Sequence, residues 1–153
     1  MEYDFPAVFY DDDKQIAFRF YDADWFSCGE NISDAIEMAE DVLGGRLMRL
    51  ERDGGQIPTP TKLEDVKLLP NQMVRMIHAD TEKYATELAA LNERESILNA
   101  DNPIRELLNR RQMKIKELSD FLNAPYRTVQ DWSLNKSRPP EWALNLILDK
   151  ILG

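Results

Sequence analysis

Five aspartates crowd one short stretch near the start of the chain: Asp11, Asp12, Asp13, Asp22 and Asp24. Carboxylates converging from separate elements can hold two metal ions about 4 Å apart and cut a phosphodiester. These five fall instead into two turn-like clusters, where aspartates commonly bond to nearby backbone N–H groups. His78 is the only histidine and Cys28 the only cysteine, so a His-based metal site, a catalytic triad and a disulfide all lack partners. Gly44-Gly45 has no following lysine and does not make a phosphate-cradling loop. No metal and no cofactor is expected, and the chain does not read as an enzyme. A different chemistry sits near the other end, where Arg127 and Gln130 stand three residues apart. Arginine can grip guanine O6 and N7, and glutamine can pair with adenine.

The elements that must hold those two side chains are short helices. Asn102-Pro103 combines a cap residue with a proline at the first helical position, and Ile104, Leu107 and Leu108 supply an inner face. A second helix is expected from Ile115 to Leu122, with Leu118, Phe121 and Leu122 apolar. Asn123-Ala124-Pro125 makes a tight turn, and Tyr126 to Ser133 forms a third helix. Val129 and Trp132 face in; Arg127, Gln130 and Asp131 face out. After Leu134 to Arg138, Pro139-Pro140 opens a last helix expected to bury Trp142, Leu146, Ile147 and Ile151. Two short helices joined by a three-residue turn leave the second one projecting, as entry into a major groove requires. A helical protein-binding module is the other reading of the same pattern.

The front of the chain has a different period. Phe5 to Tyr10 and Gln15 to Phe20 read as strands around an Asp11-Asp12-Asp13 turn, and Trp25 to Cys28 as a third strand. Ile32, Ala35, Ile36, Ala39, Leu43, Leu47 and Leu50 then recur at helical spacing. Asn31 is positioned to cap this helix and Asp34 to complete the cap. Gly44-Gly45 interrupts it, as expected of close packing on a sheet, and Asp53-Gly54-Gly55 ends it. A fourth strand follows from Met73 to His78, and Asp80 caps a helix carrying Tyr84, Leu88 and Leu91.

Charge divides along the same line. The net charge is −9. From Asp101 onward nine Lys/Arg meet seven Asp/Glu, a net of +2, which leaves −11 on the first hundred residues. Such asymmetry predicts two surfaces with different partners, the acidic one suited to a basic protein. No apolar run reaches the roughly 18–20 residues that cross a bilayer. With one cysteine and no basic, apolar start, a cytoplasmic chain without a membrane partner is expected.

Two resemblances follow. Phe5-Pro6-Ala7-Val8-Phe9, Gly29-Glu30-Asn31 with Asp34-Ala35, and Ile57-Pro58-Thr59-Pro60, in a β-β-β-α-β order, resemble the N-terminal domain of HicB-type antitoxins. That domain has a partial ribonuclease-H-like fold. Glu117 to Trp132, followed by a basic loop and Pro139-Pro140, resembles the helix-turn-helix of Cro/Xre-like regulators. Ser119 stands where that family has alanine, Asn123 and Asn135 where it has glycine, Ile115 for a glutamine and Ser133 for a glutamate. The implied architecture is α+β, with a HicB-like toxin-binding domain over residues 1–95 and an all-α helix-turn-helix domain over residues 96–153. The implied function is neutralising a HicA-type mRNA-cleaving toxin and repressing the chain's own operon. The alternative is a phage or chromosomal transcription regulator with a protein- or ligand-binding front domain and no toxin. By the family's register, Tyr126, Arg127, Gln130 and Asp131 would meet base edges. Thr128, Lys136 and Arg138 would sit nearer phosphates, joined by Lys114 and Lys116. The expected partners are a HicA-type toxin, operator DNA and a second copy of the chain, as a homodimer or higher homo-oligomer. Toxin contact is assigned to Asp11, Asp12, Asp13, Asp22, Asp24 and Trp25.

Overall fold

A computed structural model describes residues 1–153. The chain is mixed α/β, with one four-stranded antiparallel sheet and six α-helices. It divides into two compact units, Met1–Glu87 and Leu88–Gly153.

In the first unit β1 (Glu2–Asp12), β2 (Gln15–Phe20), β3 (Phe26–Gly29) and β4 (Gln72–Asp80) lie in the order β3-β2-β1-β4. Because side chains alternate along a strand, register decides what is buried. Ala7 lies opposite Phe20, Phe9 opposite Phe18, and Phe5 opposite Ile77, so all six reach the same face. The Phe9 and Phe18 rings stand 5.8 Å apart, and Phe18 meets Phe20 edge-on at 5.9 Å. That face is covered by α1 (Ile32–Asp53), whose Ala35, Ala39, Leu43 and Leu47 are fully buried. The Asn31 carbonyl oxygen of the side chain accepts from the Asp34 N–H at 2.9 Å, while the Asp34 carboxylate accepts from the Glu30 N–H. Gly54, in the left-handed region at φ 69°, closes the helix.

Three details differ from the sequence reading. Asp11 and Asp12 extend β1, and the turn contracts to Asp13-Lys14, with Asp13 at φ 59°. Trp25 precedes β3 and packs its ring 6.1 Å from Phe20 and 6.4 Å from Phe5. Gly44-Gly45 does not interrupt α1. A Cβ on Gly44 would lie 2.6 Å from the Tyr84 ring, so the close packing is against α2 (Thr81–Leu98) and not against the sheet. Asp80 caps α2, accepting from the Glu82 and Lys83 N–H groups.

The second unit takes the last part of α2 with α3 (Pro103–Arg111), α4 (Ile115–Leu122), α5 (Tyr126–Ser133) and α6 (Glu141–Leu152). Its core gathers Ile97, Ile104, Leu107, Leu118, Val129 and Leu148. The α3 cap is the expected one, with Asn102 accepting from the Arg105 N–H at 3.1 Å and Pro103 opening the helix. The face of α6 is rotated from expectation. Leu144, Ile147 and Leu148 are buried, whereas Trp142 is 68% and Leu146 56% exposed. Eight of the twelve positions of this helix are apolar, so spacing alone does not choose its inner side. No helix is long and apolar enough to cross a membrane.

Candidate nucleic-acid interface

The geometry of α4 and α5 follows from three residues. Asn123 ends α4 in the left-handed region at φ 53°, a conformation asparagine tolerates better than most side chains. Its N–H returns to the Asp120 and Ser119 carbonyls, and the Ala124 N–H to Ser119 at 3.0 Å. Pro125 has no N–H to lose and fixes φ near −59°, and its carbonyl accepts the first bonds of α5 from Thr128 and Val129. The chain thus reverses within three residues. Ser119, 2% exposed, has room only for a small side chain, and its hydroxyl donates to the Lys116 carbonyl.

The far end of α5 is tied down as well. The Ser133 carbonyl accepts from the Asn102 side-chain amide at 2.9 Å and from the Arg105 guanidinium at 3.1 Å. Asn102 therefore serves twice, as the cap of α3 and as an anchor for α5. The sequence reading assigned only the first role, because the second joins positions 31 apart.

Along this frame Tyr126 and Arg127 are exposed, and Thr128, Gln130 and Asp131 are half-buried. Lys136 and Arg138 lie exposed in the loop after α5, where the Asp131 carbonyl accepts from the Lys136 N–H at 2.9 Å. Lys114 and Lys116 lie at the start of α4 and share an open groove of about 430 Å³ with Tyr126 and Arg105. Of the unit's ten cations, Arg105 is bonded to the Ser133 carbonyl and Lys150 lies over the Phe121 ring; the other eight fall into two groups. Arg94, Arg110, Arg111 and Lys116 are paired with Asp149, Glu106, Glu93 and Asp120. Lys114, Arg127, Lys136 and Arg138 enter no ion pair, which leaves their charge free for an external anion. An arrangement of this kind can hold phosphates at its margins and present Arg127 and Gln130 to base edges.

The acidic candidates of the first unit do not form one patch. Asp11, Asp12 and Asp13 lie at the β1–β2 turn, and Asp22 and Asp24 beyond the other end of β2. The six residues of β2 separate them by roughly 20 Å at a strand's rise. Asp22 is also engaged, accepting from both the N–H (2.8 Å) and the hydroxyl of Thr61. Trp25 is committed to the aromatic core. A broader acidic surface escaped the sequence reading: Glu2, Glu37, Glu40, Asp41, Asp80 and Glu87 line an open groove of about 630 Å³, with Lys83 and His78. Its residues come from β1, α1, β4 and α2, so no local run reveals it. In it the His78 ring bonds to the Asp4 carboxylate at 3.0 Å and stands 3.4 Å from Glu2. The bond to Asp4 raises the His78 pKa above its ordinary value, with both carboxylates adding charge attraction. No group of three or more His, Cys, Asp or Glu side chains is disposed to hold a metal ion.

No protein-family model matches the chain. Nor does any curated protein. Among solved structures, the chain is similar to a chain of a toxin–antitoxin complex from Streptococcus pneumoniae. The two are 24% identical with a TM-score of 0.51, over 55% of this chain and 73% of the other. The likeness is one of fold.

Proposed function

We propose that the chain is an antitoxin of the HicB type, whose second unit is a helix-turn-helix that binds operator DNA and represses the antitoxin's own operon. The observation that carries this reading is α5: it starts at a three-residue reversal, is anchored at its far end, and leaves Tyr126 and Arg127 open beside unpaired cations. Backbone contacts from Lys114, Lys136 and Arg138 would fix the register, and Arg127 with Gln130 would read sequence. One short helix reads few base pairs, so the repressor would act as a dimer across two half-sites about one helical turn apart.

The first unit would bind and neutralise a HicA-type toxin in the cytoplasm, acting by occlusion and not as an enzyme. Its strand order β3-β2-β1-β4, with α1 between β3 and β4, suits a partial ribonuclease-H-like fold. The likeness to a chain of a toxin–antitoxin complex supports the same reading. A toxin that cleaves RNA needs a basic face for phosphate, and the acidic first unit offers a complementary surface. The test is a pair of assays on the full chain. In the first, it should slow RNA cleavage by a toxin encoded in the adjoining reading frame. In the second, it should bind the DNA upstream of its own frame more tightly than a scrambled duplex. Inhibition without specific DNA binding would remove the repressor half of the proposal; specific DNA binding without inhibition would favour a regulator that has no toxin.

A further inference from the structure

Two of the four α6 side chains expected to be buried are open. Trp142 is 68%, Leu146 56% and Phe121 50% exposed, and Trp142 and Leu146 line an apolar groove of about 440 Å³ with Leu122, Trp132 and Ile147. Its polar rim is nearly spent. Asp149 is paired with Arg94, and the Lys150 ammonium sits over the Phe121 ring, 5.8 Å from its centre. We propose that this face is where two copies of the chain join, Trp142 and Leu146 of each packing about a twofold axis.

Charge and area select that occupant. A basic toxin would find no free carboxylate here, and a phosphate backbone would find one lysine among indole and leucine. A surface equally apolar and equally short of charge fits, and this chain carries one. At about 150–250 Å² for a whole aromatic side chain, the exposed parts of Trp142, Phe121 and Leu146 amount to roughly 350 Å². Apolar patches of a few hundred Å² mark interaction sites. Two such patches, with their polar margins, approach the roughly 1,000 Å² at which specific interfaces begin. A twofold contact sets the same patch against itself, and here that brings no like-charged cluster together. The groove shares no residue with the one lined by Lys114, Lys116 and Tyr126. A contact confined to the α6 groove therefore does not use those residues. The inference deepens the dimeric repressor reading, yet it rests on this face alone and is tested without DNA.

Sedimentation velocity of the full chain over a dilution series measures it. The wild type should show a dimer that dissociates on dilution. Leu146→Glu should raise the dissociation constant at least about tenfold, as expected for a charge at the centre of an interface. Leu146→Ala should weaken it less, and Leu69→Glu, at a more open leucine of the first unit, should leave it unchanged. Circular dichroism spectra of the variants should match the wild type, and their melts should match it at dilutions where the wild type is monomeric, because Leu146 is already half exposed. A wild type that stays monomeric at every concentration, or a dimer indifferent to Leu146→Glu, would overturn the proposal. DNA binding by that monomer or that dimer would leave the repressor reading standing.

Discussion

In the first unit nineteen Asp/Glu meet nine Lys/Arg, and in the second nine meet ten. The first unit buries a continuous aromatic and aliphatic face under one long helix and leaves carboxylates along its outside, six of them around a single groove. The second builds a smaller core from short helices and uses four of its acids to neutralise four cations, none of which lies on α5 or in the loop after it. Both units follow the same packing rules. What separates them is where charge is cancelled and where it is left over: uncancelled negative charge suits a basic protein, uncancelled positive charge a polyanion.

If that division is real, damage to one unit should leave the other's partner untouched. The largest effect should come from Phe18→Ala, which hollows the first core and should cost about 3–5 kcal/mol. Hydrogen exchange should show protection lost over β1, β2 and α1, and DNA affinity should hold. Next comes Gly44→Ala, whose new Cβ would press on the Tyr84 ring at 2.6 Å. Overpacking of this kind costs about 1–3 kcal/mol, and Tyr84→Ala in the same chain should recover part of the loss in chemical denaturation. A smaller change should follow from Lys136→Ala with Arg138→Ala. If each meets one phosphate, the slope of log affinity against log salt becomes shallower by about 0.9 per residue. Toxin inhibition should not change.

The smallest effect concerns pH. His78 has a raised pKa because Asp4 and Glu2 favour its charged form. That contribution to stability is fully present below about pH 6.5, the unfolded value, and is lost as pH rises through the higher folded one. Thermal melts of His78→Gln should lack this decline on the alkaline side. Glu51 behaves oppositely, since its bond from the Tyr3 hydroxyl lowers its pKa. Its contribution is present above the ordinary carboxylate range and fades as pH falls through the folded value.

Much of this was legible from local chemistry. The Asn31 and Asn102 caps, the Gly54 stop and the reversal at Asn123-Ala124-Pro125 each depend on residues within a few positions, and each appears where spacing put it. What was hidden depended on distant partners. Gly44-Gly45 looked like a break because the ring that needs the space, Tyr84, lies 40 positions on. The two aspartate clusters between Asp11 and Asp24 were given one partner because they are close in sequence, whereas β2 holds them at opposite ends. Trp142 and Leu146 looked internal because α6 is apolar on most sides and its pattern does not name the inner one. The acidic groove and the Asn102–Ser133 anchor were invisible for the same reason.

The proposed role of α5 is to read duplex DNA. Fluorescence anisotropy at one fixed salt concentration, comparing the DNA upstream of the chain's own reading frame with a scrambled duplex, tests it most directly. The wild type should clearly prefer the upstream DNA, and Arg127→Ala should remove about 1–3 kcal/mol of that preference, while binding to the scrambled duplex weakens far less. Equal affinity of the wild type for both duplexes, or a preference that survives Arg127→Ala intact, would contradict it.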